Sequence, residues 1–174
     1  MTEQRSFVDR LIGAARLDGS VYEEVEHDRD ATAQAAMVVV AGAIAAGLAG
    51  LGANGVTGLV LGVVLGLVSW AVYASLTYFI GTRLLAGAQT SADWGELART
   101  LGFASAPRIL LVIGVVSVVS GLVTAIVGIW LLVTTVVAVR AALDIGTGRA
   151  IAVALIGWIA QGIILTIAFG LAGA

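Results

Sequence analysis

Residues 109–139 read ILLVIGVVSVVSGLVTAIVGIWLLVTTVVAV, a run of 31 residues without a charged side chain. Crossing about 30 Å of hydrocarbon takes about 20 helical residues, whereas one helix of this length would reach about 46 Å. The run is therefore either one overlong membrane helix or two helices, for which residues 117–121 (Ser-Val-Val-Ser-Gly) offer a turn. This choice decides how many times the chain crosses the membrane.

The basic residues decide between the two alternatives. All nine are arginine, and they occupy positions 5, 10, 16, 29, 83, 99, 108, 140 and 149. If residues 109–139 cross the membrane twice, all nine fall on one side, whereas a single crossing separates Arg140 and Arg149 from Arg83 and Arg99. Arginine is enriched in cytoplasmic loops, which favours two crossings. The sequence thus predicts five transmembrane helices, with the N-terminus in the cytoplasm and the C-terminus outside.

The composition of the rest of the chain is also that of a membrane protein. The chain is 60% hydrophobic and only 11% charged, whereas soluble domains are about one quarter charged. We predict an all-α polytopic bundle in two parts, a cytoplasmic leader at residues 1–30 and a membrane domain at residues 31–174. The five spans are predicted at about residues 33–53, 58–80, 101–120, 122–142 and 150–171.

The leader begins with an amphipathic pattern. Residues 5–17 place apolar side chains on one helical face and charged ones, including Arg10, on the other; the apolar residues are Phe7, Val8, Leu11, Ile12 and Ala15. This pattern predicts a short helix that lies in the membrane interface or packs on the cytoplasmic mouth of the bundle, and the two placements are compatible.

The second part of the leader, residues 22–30, is rich in carboxylates and carries the only histidine, His27. Carboxylates and histidine are possible ligands of a divalent metal. Because these residues are contiguous, we expect them to point in several directions. A solvated acidic segment is therefore favoured over a metal site.

The loop between the second and third spans predicts a further short helix. Ser91 is a candidate N-cap, and Asp93 and Glu96 suit the first turns. We expect this helix to lie in the interface, with Trp94 at the level of the lipid headgroups.

The interfacial helices and the cytoplasmic arginines together define a candidate interaction face. Arg108 falls two turns into the predicted third span, from where its long side chain can reach back to the headgroups. The predicted face consists of Arg83, Trp94, Arg99, Arg108, Arg140 and Arg149.

Glycine spacing predicts how the spans pack. Gly58, Gly62 and Gly66 repeat every four residues in the second span, and such a stripe lets another helix approach closely. The small residues of the first span that can face the stripe are Ala43, Gly47 and Gly50. Packing within one chain is favoured, and a homo-oligomer interface is the alternative.

The chemistry-bearing residues exclude several functions. No aspartate, glutamate, lysine or histidine lies in the middle of a predicted span, which disfavours a proton-coupled transporter. The phosphate-binding loop, the metal-binding histidine pair and the catalytic triad are all missing. We therefore expect no catalytic residues, no cofactor, no metal and no nucleic-acid partner. The expected partners are the lipid bilayer and a membrane protein or a second copy of the chain.

Several segments carry a family resemblance. They are residues 22–25 (Tyr-Glu-Glu-Val), 81–87 (Gly-Thr-Arg-Leu-Leu-Ala-Gly), 100–107 (Thr-Leu-Gly-Phe-Ala-Ser-Ala-Pro), 140–143 (Arg-Ala-Ala-Leu) and 148–151 (Gly-Arg-Ala-Ile). Together they resemble the bacterial branch of the YIP family, the Ypt/Rab-interacting multispan membrane proteins. The resemblance implies five spans, a bacterial plasma membrane and no established catalytic residues. Eukaryotic relatives carry Asp-Leu-Tyr-Gly-Pro before the first span, and residues 17–22 (Leu-Asp-Gly-Ser-Val-Tyr) depart from it.

These observations favour a non-enzymatic membrane protein that organises lipid or partner proteins through its cytoplasmic face. The alternative is a small transporter or channel component, or an accessory subunit of a larger membrane complex. A transporter requires a polar cavity, for which Tyr73, Thr124 and Gln161 are the candidate residues. Gln161 is also expected to bridge helices through hydrogen bonds.

Overall fold

A computed structural model describes residues 5–49, 51–87 and 90–172 of the chain. These residues form α1 (Phe7–Ala15), α2 (Gly19–His27), α3 (Ala31–Ala49), α4 (Leu51–Phe79), α5 (Trp94–Ala104), α6 (Ser117–Leu143) and α7 (Thr147–Ala172). A π-helical turn (Ile80–Leu84) extends α4, and a 3₁₀ segment (Ala106–Val115) follows α5. The described residues contain no β-strand, which confirms the predicted all-α class.

Within the part of the chain that the structure describes, five stretches are long and apolar enough to cross a membrane: Ala31–Leu48, Gly55–Leu84, Trp94–Val115, Val118–Leu143 and Thr147–Ala168. The predicted number of spans is confirmed. The long apolar run is divided at Val116, whose extended backbone (φ −79°, ψ 100°) separates the 3₁₀ segment from α6. The first two spans are divided near Gly55, whose φ of 58° lies in the left-handed region that favours glycine. The orientation of the spans in the membrane stays a prediction.

The third span begins at Trp94, well before residue 101. The N-cap is Asp93, so the assignment of this role to Ser91 was wrong. Asp93 Oδ1 accepts from the Glu96 N–H (2.8 Å) and Glu96 Oε2 accepts from the Asp93 N–H (2.7 Å), which forms a capping box. The helix does not lie along the interface as predicted but packs inside the bundle, against α3, α4 and α6. Its residues from Leu97 to Ala104 are all buried.

Neighbouring spans contact one another in the order α3, α4, α7, α6 and third span, which gives a ring, and the α5 part of the third span also packs against α4. The first span, α3, packs against α4 and the 3₁₀ segment; α4 packs against α7, α7 against α6, and α6 against the 3₁₀ segment. Close contacts between α3 and α4 involve Gly66, which faces Ala43, and Gly47, which faces Leu59. A Cβ on Gly62 would meet no atom within 4 Å, so the predicted stripe is not a continuous contact within the chain. Gly50 lies outside the described residues.

The leader helices pack on one end of the ring. Here α2 contacts α5 and α6, and α1 contacts α2, α5 and the 3₁₀ segment. We call this end, where α1 and α2 pack, the leader end. The leader is therefore a folded part of the molecule rather than a solvated extension.

Candidate functional site at the centre of the ring

A cavity of about 320 Å³, partly open to the outside of the bundle, lies between the spans, and residues from all five of them line it. Its polar lining residues are Ser69, Tyr73, Ser105, Arg108, Thr135 and Gln161. Leucine, valine, tryptophan, alanine and glycine residues supply the rest of the lining. This volume lies at the lower end of the range of small-molecule sites, roughly 300–1,000 Å³.

Hydrogen bonds between α4 and α7 form one wall of the cavity. Gln161 Nε2 donates to the backbone oxygen of Ser69 (2.7 Å) and to its hydroxyl (2.8 Å), which confirms the predicted helix bridge. Tyr73 donates its hydroxyl proton to the Ala154 carbonyl (3.0 Å). Thr124, the third residue predicted for such a cavity, is exposed on α6 and donates to the Ser120 carbonyl of its own helix.

Arg108 reaches this cavity from deep within the third span. It follows Trp94 by one full α-helix and the start of the 3₁₀ segment, a rise of roughly 22 Å. Its Cβ, Cγ and Cδ pack against Gly42, near the middle of α3. This position differs from the expected one at the headgroups, because the span begins at Trp94 and carries Arg108 to the middle of the ring.

The Arg108 guanidinium has no charge partner from the chain at this depth. No hydrogen bond or ion pair joins it to any residue within 5–49, 51–87 or 90–172. The sequence itself contains no aspartate or glutamate between Asp30 and Asp93, or between Glu96 and Asp144, or after Asp144. The cavity therefore carries one uncompensated positive charge.

The other residues of the predicted interaction face occupy different surroundings. Arg99 is only 5% exposed, and its Nε donates to the carbonyls of Val25 (3.0 Å) and Glu26 (3.2 Å) at the end of α2. Arg99 therefore bonds the end of α2 to the third span instead of facing solvent. Trp94 is exposed and donates to the Ser75 hydroxyl (3.0 Å). Arg83, Arg140 and Arg149 are exposed, and so is Arg108, which lines the cavity.

A second polar cluster, centred on Arg10, locks the leader in place. Arg10 is 1% exposed, and its guanidinium donates to Glu24 Oε1 (3.0 Å), Gln34 Oε1 (3.0 Å) and Asp28 Oδ2 (2.7 Å). These bonds join α1, α2 and the first turn of α3. Burial lowers the pKa of Arg10, but its hydrogen bonds to Asp28 and Glu24 outweigh that effect and raise it.

The orientation of α1 follows from this lock. Arg10 was expected on the solvent face, yet it shares the inward stripe with Phe7 and Ala14 at i−3 and i+4. Phe7 packs edge-on against Phe103, with ring centroids 6.3 Å apart. In consequence, the apolar side chains of Val8 and Ile12 point outward and are 56% and 44% exposed. The i−3 and i+4 spacing was the sequence signal for an inward Arg10.

Glu26 is a buried acid that the sequence did not single out. Its side chain is 5% exposed, and its Oε2 has no hydrogen-bond partner in the described chain. Burial, reinforced by the nearby Glu23 carboxylate, raises the pKa of Glu26 to about 7. The ligand atoms of Glu23, Glu26 and His27 lie within 4.8 Å of one another. We expected these residues to diverge, but their i, i+3 and i+4 spacing places them on one face of α2.

Comparison with protein-family models matches the Yip1 domain over residues 19–169. The chain belongs to the Yip1 domain family. The Yip1 match starts at the first residue of α2 and ends within α7, so it includes all five spans and the cavity. The leader helix α1 precedes it. No curated protein and no solved structure matches the chain significantly. The predicted family is confirmed, and with its apolar spans this Yip1-family chain is a multispan membrane protein in contact with the bilayer.

Proposed function

We infer that this Yip1-family protein is a non-enzymatic protein of a bacterial plasma membrane, where it organises lipid or partner proteins through the leader end. The leader end lies in the cytoplasm in this proposal. The observation that carries it is the Arg10 lock, because that cluster holds α1 with two apolar side chains facing outward. A helix that served only to cover the bundle would bury its apolar residues and expose its arginine.

The surroundings of α1 support a location in the membrane interface. The Trp130 indole donates to the Ala15 carbonyl at the end of α1 (2.7 Å), which ties the helix to a membrane span. Moving the apolar side chains of a short helix from water into the headgroup region of the bilayer is favourable. The exposed arginines Arg83, Arg140 and Arg149 suit anionic headgroups or an acidic partner at this end.

Site-specific labelling tests the placement of α1. The chain contains no cysteine, so single-cysteine variants accept a fluorophore without background. An environment-sensitive label on Val8→Cys or Ile12→Cys should shift to shorter wavelength in liposomes and be quenched by spin-labelled lipid. The same label on Glu23→Cys, an exposed position on α2, should not. Equal quenching at the three positions, or none at any of them, contradicts the interfacial placement.

A measurement of membrane shape tests the organising function itself. Full-length protein reconstituted into liposomes should change the vesicle size distribution seen by electron cryomicroscopy. The double variant Val8→Asn/Ile12→Asn should lose this effect, whereas Arg16→Gln, also exposed on α1, should retain it. If the double variant and the parent protein give the same vesicles, the proposal fails.

The central cavity favours a second function, that of a small transporter or channel component, alone or within a larger complex. Tyr73 and Gln161 line the cavity, as a polar solute path requires. Proteoliposomes loaded with phosphate should then release it faster than protein-free vesicles, and Gln161→Leu should slow the release. Release at the protein-free rate would contradict transport of this anion.

A further inference from the structure

The Arg108 side chain places a positive charge in the middle of the bundle. It is a permanent cation at mid-depth, and the acids of the chain all lie outside the apolar parts of the spans. Charged side chains at this depth are costly and normally pair with another charge or face a polar cavity. Arg108 does face a cavity, but the described chain supplies it with no anion.

The groups around Arg108 are arranged to hold a polar ligand. Gln161 donates through its Nε2 to Ser69, and its Oε1 takes no part in these two hydrogen bonds. The Tyr73 hydroxyl donates to a backbone carbonyl and retains its capacity to accept. A ligand in the cavity can therefore meet a cationic donor, which suits an oxyanion, and neutral acceptors, which suit the hydroxyl groups of a lipid headgroup.

The lining residues also set the character of the rest of the ligand. Leu131, Trp158 and Leu165 line the same cavity and offer an apolar surface next to the guanidinium. A volume of about 320 Å³ accepts a headgroup-sized fragment, not a whole two-chain lipid. Acyl chains attached to such a fragment would extend between the spans into the bilayer.

We propose that Arg108 and this cavity bind the phosphate or carboxylate group of an anionic amphiphile, with the planar guanidinium making a bidentate contact. Guanidinium matches the oxyanion geometry of both groups, and such charge-assisted pairs are among the strongest hydrogen bonds. The ligand supplies the negative charge that the spans lack. This inference goes beyond the proposed function, because it places recognition of a lipid class at the central cavity and not at the leader end.

Native mass spectrometry of the full chain tests this inference. The protein is held in zwitterionic detergent and offered equal amounts of phosphatidylglycerol and phosphatidylcholine. We expect one phosphatidylglycerol to bind in preference, and Arg108→Gln to reduce that preference about tenfold or more. Arg108→Lys, which retains the positive charge but not the paired N–H donors of the guanidinium, should lose part of this preference. Arg29→Gln removes an exposed arginine that lies outside the proposed lipid-facing set and should leave the preference unchanged.

A second arm separates a lipid from a soluble anion. If inorganic phosphate displaces phosphatidylglycerol in an Arg108-dependent manner, the site takes free oxyanions; if it does not, the site takes the lipid. Absence of any preference in the parent protein overturns the proposal, whether or not the variants fold. A preference that survives Arg108→Gln overturns it as well. The result is independent of the Val8 and Ile12 experiments, so the two proposals can fail separately.

Discussion

Replacing Glu26 with glutamine should change how firmly α2 is held, and the size of the change should depend on pH. The carboxyl group is buried at the end of α2, where Arg99 bonds the backbone carbonyl of Glu26. Its Oε2 has no partner among the described residues. Burial therefore favours the neutral form and raises the pKa of Glu26 from 4.5 to about 7.

The sign and size of the effect follow from this shift. Between pH 4.5 and about 7 the exposed carboxyl of an undocked α2 loses its proton while the docked one keeps it. Docking is therefore strongest below pH 4.5, weakens as pH rises to about 7, and is constant above that value. At about 1.4 kcal/mol per pKa unit, the full loss is about 3 kcal/mol, or roughly 300-fold in the docking equilibrium.

Amide hydrogen exchange of residues 20–27, at pH 4 and pH 8, measures this quantity. At each pH the parent protein is compared with Glu26→Gln, so the intrinsic pH dependence of exchange cancels. The ratio of their protection should shift by roughly 100- to 300-fold in favour of the variant between pH 4 and pH 8. Any constant cost of burying an amide cancels in the same comparison.

The controls isolate the buried carboxyl. Asp30→Asn removes an exposed negative charge just beyond α2 and should leave the pH dependence in place. A chelator in all samples prevents a cation from binding the neighbouring Glu23 and His27. If the ratio of parent to variant is the same at both pH values, the raised pKa of Glu26 is refuted.

The remaining predictions concern the leader lock and the packing of the third span. Arg10→Met should leave the Glu24 and Asp28 carboxylates without their shared partner and weaken leader docking by about 3 kcal/mol. Faster proteolysis of α1 measures this loss, and Arg16→Met is the exposed control. Equal cleavage of the two variants would exclude the lock. A Cβ on Gly102 would lie 2.6 Å from the Ala35 Cβ, so Gly102→Ala should destabilise the bundle by about 1–3 kcal/mol in thermal unfolding. Gly62→Ala, which meets no atom within 4 Å, should change little, and an equal loss in both variants would argue against this packing.

The number of spans was predictable because it depends on the length of each apolar segment and on the positions of the arginines, both of which can be read directly from the sequence. Residues 109–139 are too long for one crossing, and Arg140 and Arg149 favour two. The family was also accessible from short segments such as residues 100–107, and the Yip1 match confirms it. These signals depend on the chain and the bilayer, not on how the helices pack.

The candidate site was less accessible because it depends on where helices begin and on which faces they bury. Arg108 reached mid-depth because the capping box of Asp93 and Glu96 starts the third span at Trp94. Tyr73 and Gln161 were expected in a polar cavity and do line one, whereas Thr124 lies on the exposed side of α6. Periodicity places a residue on a face, but it does not say what that face meets.

The sequence by itself determined that this is a five-span helical membrane protein, since hydrophobicity and charge set the cost of placing each segment in lipid. Only the tertiary structure decided what its arginines do. Arg10 and Arg99 hold the leader, Arg108 faces a cavity to which the described residues contribute no carboxylate, and Arg140 stays exposed. The physical reason is that a guanidinium can be solvated, paired or left uncompensated at the same sequence position, depending on which helices close around it.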